Sequence, residues 1–443
     1  MVDVLILYES RRREIENCVL LLLELEQRGY KVKIRNIYNP YKYFIKTKVL
    51  VVPHLYNNEQ LFSFGRNFWN SNERIISLQC EQILNPDVEE DDIHNTKEQA
   101  VFAHHIAWGL EQAKRYLNFS NIDINKIHIT GSIAMDLMRN EFSDYFISRK
   151  EMAKRFNLRN ESEWVLFVSS FSYAHLSEEE INRNEKMWPA SRLFSELSTE
   201  SQDIILYWFR ESALLFPDKE FIYRPHPAEK NIGLLLNSFN EIPNLHVIGD
   251  YSMRQWAKVS DKIYNWFSTS IADIYFAQKT CFILRPIVIP RNVEVSILEG
   301  VESLKTYEEY VESLKRKCYY FPVRKENMEF FYGELKGRMA YQKIADLCED
   351  LIKGKIDGYK YDWGNRSRFN TANVDSLSKI IFNYLNFPFY TICKVFKVEK
   401  VVWPFVKKKH VVRLFDLDIY GIEKEIKEYR ERLLPIVKRI KTI

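Results

Sequence analysis

Short apolar runs of strand length alternate with stretches of helical periodicity through roughly the first 290 residues, and that alternation narrows the fold most. Residues 4–8 (VLILY) form a run of the length expected for a strand covered on both faces. In RRREIENCVLLLLELEQRG the apolar positions Ile15, Val19, Leu22, Leu23 and Leu25 recur at helical spacing, and Gly29 suits the residue after a helix. YKVKIRNI follows as the next strand and completes a βαβ unit. The rhythm continues with KVLVV (48–52), RIISLQ (74–79), a helix over roughly 96–117, and KIHITG (126–131) opening a helix at Ser132. Strands interleaved with helices imply a parallel sheet with helices on both faces.

After a charged stretch at 149–162 the rhythm restarts. WVLFVSS (164–170), EFIYRPHP (220–227), NLHVIGD (244–250), KIYNWFSTS (262–270) and TCFILRP (280–286) read as strands and their exits, and 198–214 as an amphipathic helix. The expected fold class is α/β, with two Rossmann-like domains. Residues 1–150 form the first and 155–350 the second, followed by a helical basic extension over 355–443. One long doubly wound sheet is the competing arrangement.

Composition sets outer limits. With 64 Lys and Arg against 60 Asp and Glu, the 443-residue chain is too nearly neutral for a general polyanion binder, so no nucleic-acid partner is expected. The six cysteines lie far apart in sequence, with neither a CxxC pair nor a disulfide framework. The N-terminus runs into Asp3 without a basic region, and the run from Val19 is broken by Glu24 and Glu26. These features predict a reduced, cytoplasmic protein. The segment 389–443 carries fourteen Lys and Arg against seven Asp and Glu, a net charge of +7. Phe389, Tyr390, Phe396, Trp403, Phe405 and Phe415 are interleaved with those charges. Basic and aromatic residues together suit an anionic leaflet, where each Lys or Arg adds about 1 kcal/mol, so peripheral contact with the inner face of the cell membrane is expected. Packing of a solvated terminal helix on the core is the alternative.

The sharpest local feature is Tyr223-Arg224-Pro225-His226-Pro227-Ala228-Glu229-Lys230. It follows an apolar strand, which places it at the carboxyl edge of a parallel sheet, where such folds bind ligands. Two prolines fix the backbone around His226. Arg224 can grip a phosphate, and His226 can donate to a phosphate oxygen or protonate a leaving group. Next comes Asn265-Trp266-Phe267-Ser268-Thr269-Ser270, where three hydroxyls precede a helix-like segment and suit an anion. Ser169 and Ser170 stand at a third strand exit. The first half offers Glu9, Arg13 and Glu14 after the opening strand and Glu81 after the fourth. One of these carboxylates can serve as base for an acceptor hydroxyl, while each alone is commonly a helix-start acid. GxGxxG after a strand, GxxxxGK[ST], HExxH and GxSxG are all absent, which disfavours nucleotide oxidoreductases, P-loop enzymes, zincins and α/β-hydrolases.

These motifs resemble the GT-B glycosyltransferases of bacterial surface polysaccharide synthesis that carry an HP motif and a Ser/Thr motif. That group includes sialyl and Kdo transferases and the CDP-glycerol or CDP-ribitol polymerases. The shared elements are Arg13-Glu14 after the opening strand, Thr130-Gly131-Ser132, the RPHP segment and the STS segment. The resemblance implies two domains facing across a cleft, the acceptor on the first and the nucleotide donor on the second. It also implies catalysis without a metal or other cofactor. Carried onto this chain, Arg224, His226, Ser268, Thr269 and Ser270 bind the donor phosphate, with Ser169 and Ser170 as further contacts. His226 is catalytic with Glu81 or Glu14, and Glu9 and Arg13 lie on the acceptor side. The chain departs from the group's commoner pattern at Asp273 and at Phe276-Ala277-Gln278-Lys279, where Glu-Ala and Gly-Lys-Pro are more usual.

Three functions follow as expectations. The first is transfer of a nonulosonic or Kdo-type acid from a CMP-sugar, the cytidine nucleotide-sugar donor, to a glycan or glycolipid acceptor. The second is transfer of a polyol phosphate from CDP-glycerol or CDP-ribitol. The third is a non-catalytic, membrane-associated scaffold.

Overall fold

The computed structural model describes residues 1–65, 72–84, 94–186, 188–230, 239, 241–363 and 419–441. The chain divides into two compact units. The first comprises Met1–Gln82, Asp91–Asp136 and Lys336–Ile443, and the second Ile83–Glu90 and Leu137–Leu335. Both are Rossmann-like, each with a parallel sheet and flanking helices.

The first unit holds β1 (Val2–Tyr8), β2 (Val32–Asn36), β3 (Thr47–Val52), β4 (Ile75–Ser77), β5 (His104–Ala107) and β6 (Ile127–Ile129). They pair in parallel in the order β2-β1-β3-β4-β5-β6. Val4, Leu5, Ile6 and Leu7 of β1 and Val49 to Val52 of β3 are all buried. Strands covered on both faces lose the two-residue alternation, which is why they read as unbroken apolar runs. The order reverses between β1 and β3, the place where such sheets leave a crevice.

The helix expected over 96–117 is instead a strand followed by a shorter helix, Leu110–Phe119. His104 and His105 obscured β5. Both are buried, and each satisfies a ring nitrogen internally, His105 Nε2 with the Ala100 carbonyl at 2.9 Å and His104 Nδ1 with His128 Nε2 at 2.9 Å. With those polar atoms paired, imidazoles fill core positions that sequence reasoning reserves for aliphatic residues.

Helix Arg11–Gln27 is buried along most of its length and packs against helices Ala340–Lys353 and Ile419–Lys441. Arg28, just beyond it, reaches Glu24 (2.8 Å), Asp346 (2.7 Å) and Glu349 (3.0 Å). Helix Ile419–Lys441 buries Ile422, Ile426, Leu433, Ile436 and Val437. It is pinned by Arg11–Glu425 (2.6 Å), Arg35–Glu423 (3.0 Å) and Arg430–Glu26 (2.7 Å). Its exposed Lys424, Lys427, Lys438 and Arg439 alternate with Glu428 and Glu431. Within the basic extension this helix therefore turns its apolar stripe to the protein and a mixed-charge face outward. Of the segment 389–443 expected to contact a membrane, residues 389–418 lie outside the described residues. Among the described residues no helix is long and apolar enough to cross a membrane.

The second unit holds β7 (Trp164–Val168), β8 (Glu220–Arg224), β9 (Leu245–Val247), β10 (Lys262–Asn265) and β11 (Thr280–Ile283). Their parallel order is β11-β10-β7-β8-β9. Phe167, Phe171, Trp208, Phe209, Tyr223 and Trp266 form an aromatic core, with Trp208 and Phe209 coming from helix Ser191–Leu215. Here the order reverses between β7 and β10.

Candidate functional site

Register decides which loops meet. Val168 of β7 stands opposite Arg224 of β8 on one side and Asn265 of β10 on the other. The exits 169–171, 225–229 and 266–270 therefore share one carboxyl edge, with the β7 exit in the middle. The outer two are separated by two strand spacings, about 10 Å. The reversal between β7 and β10 lies beneath them.

Arg224 is only 9% exposed. Its Nη2 donates to the Tyr251 carbonyl at 3.0 Å, and its Nε is buried with no hydrogen-bond partner. Among the described residues no carboxylate pairs with it. Burial pulls its pKa down, and no neighbouring negative charge opposes that shift. A guanidinium kept from water without a counter-charge is costly unless an anion completes the site.

His226 is half-buried, and its pKa is lowered by burial first and by the Arg224 charge second, so the ring is neutral at pH 7. The Ala228 N–H donates to His226 Nδ1 at 3.1 Å. An amide N–H can only donate, so Nδ1 accepts and the ring proton sits on Nε2. Among the described residues nothing accepts from Nε2–H.

The loop around His226 is held from below by Glu229, a residue the sequence reading quoted without giving it a role. Its carboxylate accepts from Tyr223 Oη (2.5 Å), Ser169 Oγ (2.6 Å), Gln202 Nε2 (2.6 Å) and the His226 N–H (2.8 Å). The Glu229 N–H donates back to the His226 carbonyl at 2.9 Å, closing a turn with Pro227 at its second position. Tyr223 and Arg224 are consecutive in a strand and point to opposite faces of the sheet. The Glu229 network follows Tyr223, away from Arg224.

Ser169 and Ser170 act as ties between loops. Ser169 Oγ is buried and donates to Glu229, while Ser170 Oγ accepts the Phe267 N–H at 3.2 Å. The central exit thus fixes the histidine loop through one serine and the hydroxyl loop through the next. Ser268 and Ser270 are half-buried with their hydroxyls 2.7 Å apart, and Ser268 Oγ also accepts the Ser270 N–H at 3.1 Å. Thr269 is exposed. The following helix, Ile271–Phe276, is six residues long. Its Asp273, one of the departures noted in the sequence, pairs with Arg254 at 2.8 Å.

In the first unit the expected catalytic carboxylates Glu81 and Glu14 and the expected acceptor-side residues Glu9 and Arg13 have different surroundings. Glu81 and Arg13 form an exposed ion pair. Glu14 is buried and accepts the N–H groups of Glu9 (2.9 Å) and Ser10 (3.2 Å), capping its own helix, while burial raises its pKa to about 7. Glu9, at the exit of β1, has Oε2 3.6 Å from Nδ1 of His54, at the exit of β3. These two exits flank the reversal in this sheet. The His54 ring is packed by Tyr56 and Phe64, and its pKa is lowered by burial against the pull of Glu9 and Glu81. His54 was overlooked in the sequence, although Val51-Val52-Pro53-His54 repeats the strand-Pro-His order of Tyr223 to His226. Among the described residues no group of three or more His, Cys, Asp or Glu is arranged to hold a metal ion.

No protein-family model matches the chain, and no curated protein matches it either. Solved structures do match. A Listeria monocytogenes protein assigned as a UDP-N-acetylglucosamine 2-epimerase is 12% identical with a TM-score of 0.52, over 82% of this chain and 99% of that one. The Neisseria meningitidis UDP-GlcNAc 2-epimerase bound to UDP-GlcNAc (12% identity, TM-score 0.45, 80% and 99% coverage) overlaps more loosely. So does the wall teichoic acid polymerase TagF (12%, 0.47, 80% and 89%). At this identity the likeness shows the fold alone, and that fold is GT-B-like.

Proposed function

We propose that the protein is a transferase whose donor is a cytidine nucleotide and whose departing product is CMP. The observation that carries this reading is Arg224, a buried guanidinium without a counter-charge at the same sheet edge as the Nε2–H of His226 and the hydroxyls of Ser268, Thr269 and Ser270. Departure of CMP places negative charge on a phosphate oxygen, and fixed donors aimed at developing charge are what lower such a barrier. Both expected chemistries share this event. A CMP-sugar releases CMP when an acceptor hydroxyl attacks the sugar, and a CDP-alditol releases CMP when the hydroxyl attacks the outer phosphorus.

In this reading His226 acts as a hydrogen-bond donor and not as a base, because its accessible nitrogen already carries the proton. On the acceptor side, His54 backed by Glu9 is better suited to take a hydroxyl proton than the carboxylates named from sequence. Glu81 is engaged with Arg13, and Glu14 caps a helix. The acceptor is a glycan or glycolipid of the cell surface, and attachment of the protein to an anionic membrane through the segment 389–443 belongs to the same proposal.

The test is a donor panel with CMP release as readout, using CMP-Kdo, CMP-sialic acid, CDP-glycerol and CDP-ribitol with a surface-glycan acceptor. Release is expected from one donor class and at least about tenfold slower in folded His226→Ala. No release with any donor, or full activity in His226→Ala, would count against the proposal.

A further inference from the structure

Glu229 is 7% exposed and both of its oxygens are occupied by donors. A group so enclosed does not touch a ligand. What it does touch is the main chain of His226, and the pattern is reciprocal. Glu229 Oε2 accepts the His226 N–H, and the Glu229 N–H donates to the His226 carbonyl. Those two bonds hold the turn in which the Ala228 N–H meets His226 Nδ1, and that third bond fixes the proton on Nε2.

We propose that Glu229 is the positioning residue of the phosphate site, setting the tautomer and direction of the His226 imidazole through the turn His226-Pro227-Ala228-Glu229. The inference rests on the phosphate-site reading above. Three elements support the carboxylate, through Ser169 on the β7 exit, Tyr223 on β8 and Gln202 on helix Ser191–Leu215. The imidazole is therefore referenced to the sheet and to the helix covering it, and not to its own loop alone. Reach matters here more than charge. A Gln at 229 can still offer one oxygen to the His226 N–H and the Ser169 hydroxyl, while the Tyr223 hydroxyl rotates and the Gln202 amide turns over to accept from its NH2. An Asp keeps the charge but ends one carbon short of the His226 N–H.

The test compares Glu229→Gln with Glu229→Asp in the full chain. Long-range proton–nitrogen NMR of histidine-labelled protein reads the tautomer, with the His226 signal assigned by its loss in His226→Gln. Calorimetric titration with CMP reads the site. In Glu229→Gln the Nε2–H tautomer persists and CMP affinity stays within about threefold, whereas Glu229→Asp shows a second tautomer and binds on the order of tenfold more weakly. An unchanged tautomer in Glu229→Asp overturns the proposal, and so does Glu229→Gln binding more weakly than Glu229→Asp, which assigns the effect to charge. If the wild-type chain binds no CMP, the phosphate-site reading fails by itself, and the tautomer comparison still decides the role of Glu229.

Discussion

The main chains of His226 and Glu229 face each other across a four-residue turn in which each residue holds the other, the His226 N–H on the Glu229 carboxylate and the Glu229 N–H on the His226 carbonyl. The histidine loop is therefore built before any ligand arrives. A preformed donor loses little conformational freedom on binding, which favours affinity for the group it meets.

Arg224 is expected to show opposite effects on stability and on binding. It has no ion-pair partner among the described residues and its Nε is unsatisfied. Replacement by Met removes a buried charge that nothing in the unliganded site neutralises. Urea unfolding of unliganded Arg224→Met should give a free energy equal to the wild type or higher by on the order of 1 kcal/mol. A clear loss of stability would mean that the guanidinium already has a structural partner.

Arg28 should behave in the opposite way, because its charge is answered by Glu24, Asp346 and Glu349 within one unit. Truncation to Ala leaves the buried Glu24 without its cation at the contact between helices Arg11–Gln27 and Ala340–Lys353, while Asp346 keeps Arg338 and Glu349 keeps Lys353. A cost of roughly 2–3 kcal/mol in urea unfolding is expected, only partly recovered by Lys, which cannot span the same fork.

The buried histidines of the first unit set a pH dependence. Burial holds His104 near 3 and His105 and His128 near 4, whereas unfolded histidine takes up its proton near 6.5. Below about pH 6.5 the unfolded chain binds more protons than the folded one. Stability is thus complete above that value and is lost as pH falls toward 4, by on the order of 1–2 kcal/mol per ring between pH 7 and 5. Glu14, held near 7 by burial, works against this over the same range. The check is a difference of slopes: urea midpoints from pH 8 to 5 should fall less steeply in His105→Gln than in the wild type. Equal slopes would contradict the assignment.

The C-terminal helix should prove structural. Leu433 is fully buried in the helix that packs on Arg11–Gln27, so Leu433→Ala should cost roughly 2–4 kcal/mol of unfolding free energy. A cost near zero would mean that the helix does not stay on the first unit.

What the sequence conveyed and what it concealed follow from the same physics. Strands covered on both faces leave unbroken apolar runs, so β1, β3, β7, β8, β10 and β11 were legible, and with them the sheet edge that carries Arg224, His226 and Ser268 to Ser270. His104 and His105 concealed β5 because a paired imidazole packs like an apolar side chain. Glu229 was concealed for a related reason. Its importance lies in four donors from four places in the chain, Ser169, Gln202, Tyr223 and His226, and linear spacing does not show such convergence. The two serines after β7 also tie the neighbouring exits together, a role that only the strand order β11-β10-β7-β8-β9 reveals.

The most direct measurement is calorimetric titration of CMP into the intact chain, wild type beside Arg224→Met. Saturable binding is expected in the wild type, weakened at least about tenfold in the variant. A wild-type chain that gives no binding isotherm, or a variant that binds CMP equally well, would contradict the account of Arg224 as the buried cation that receives the donor phosphate.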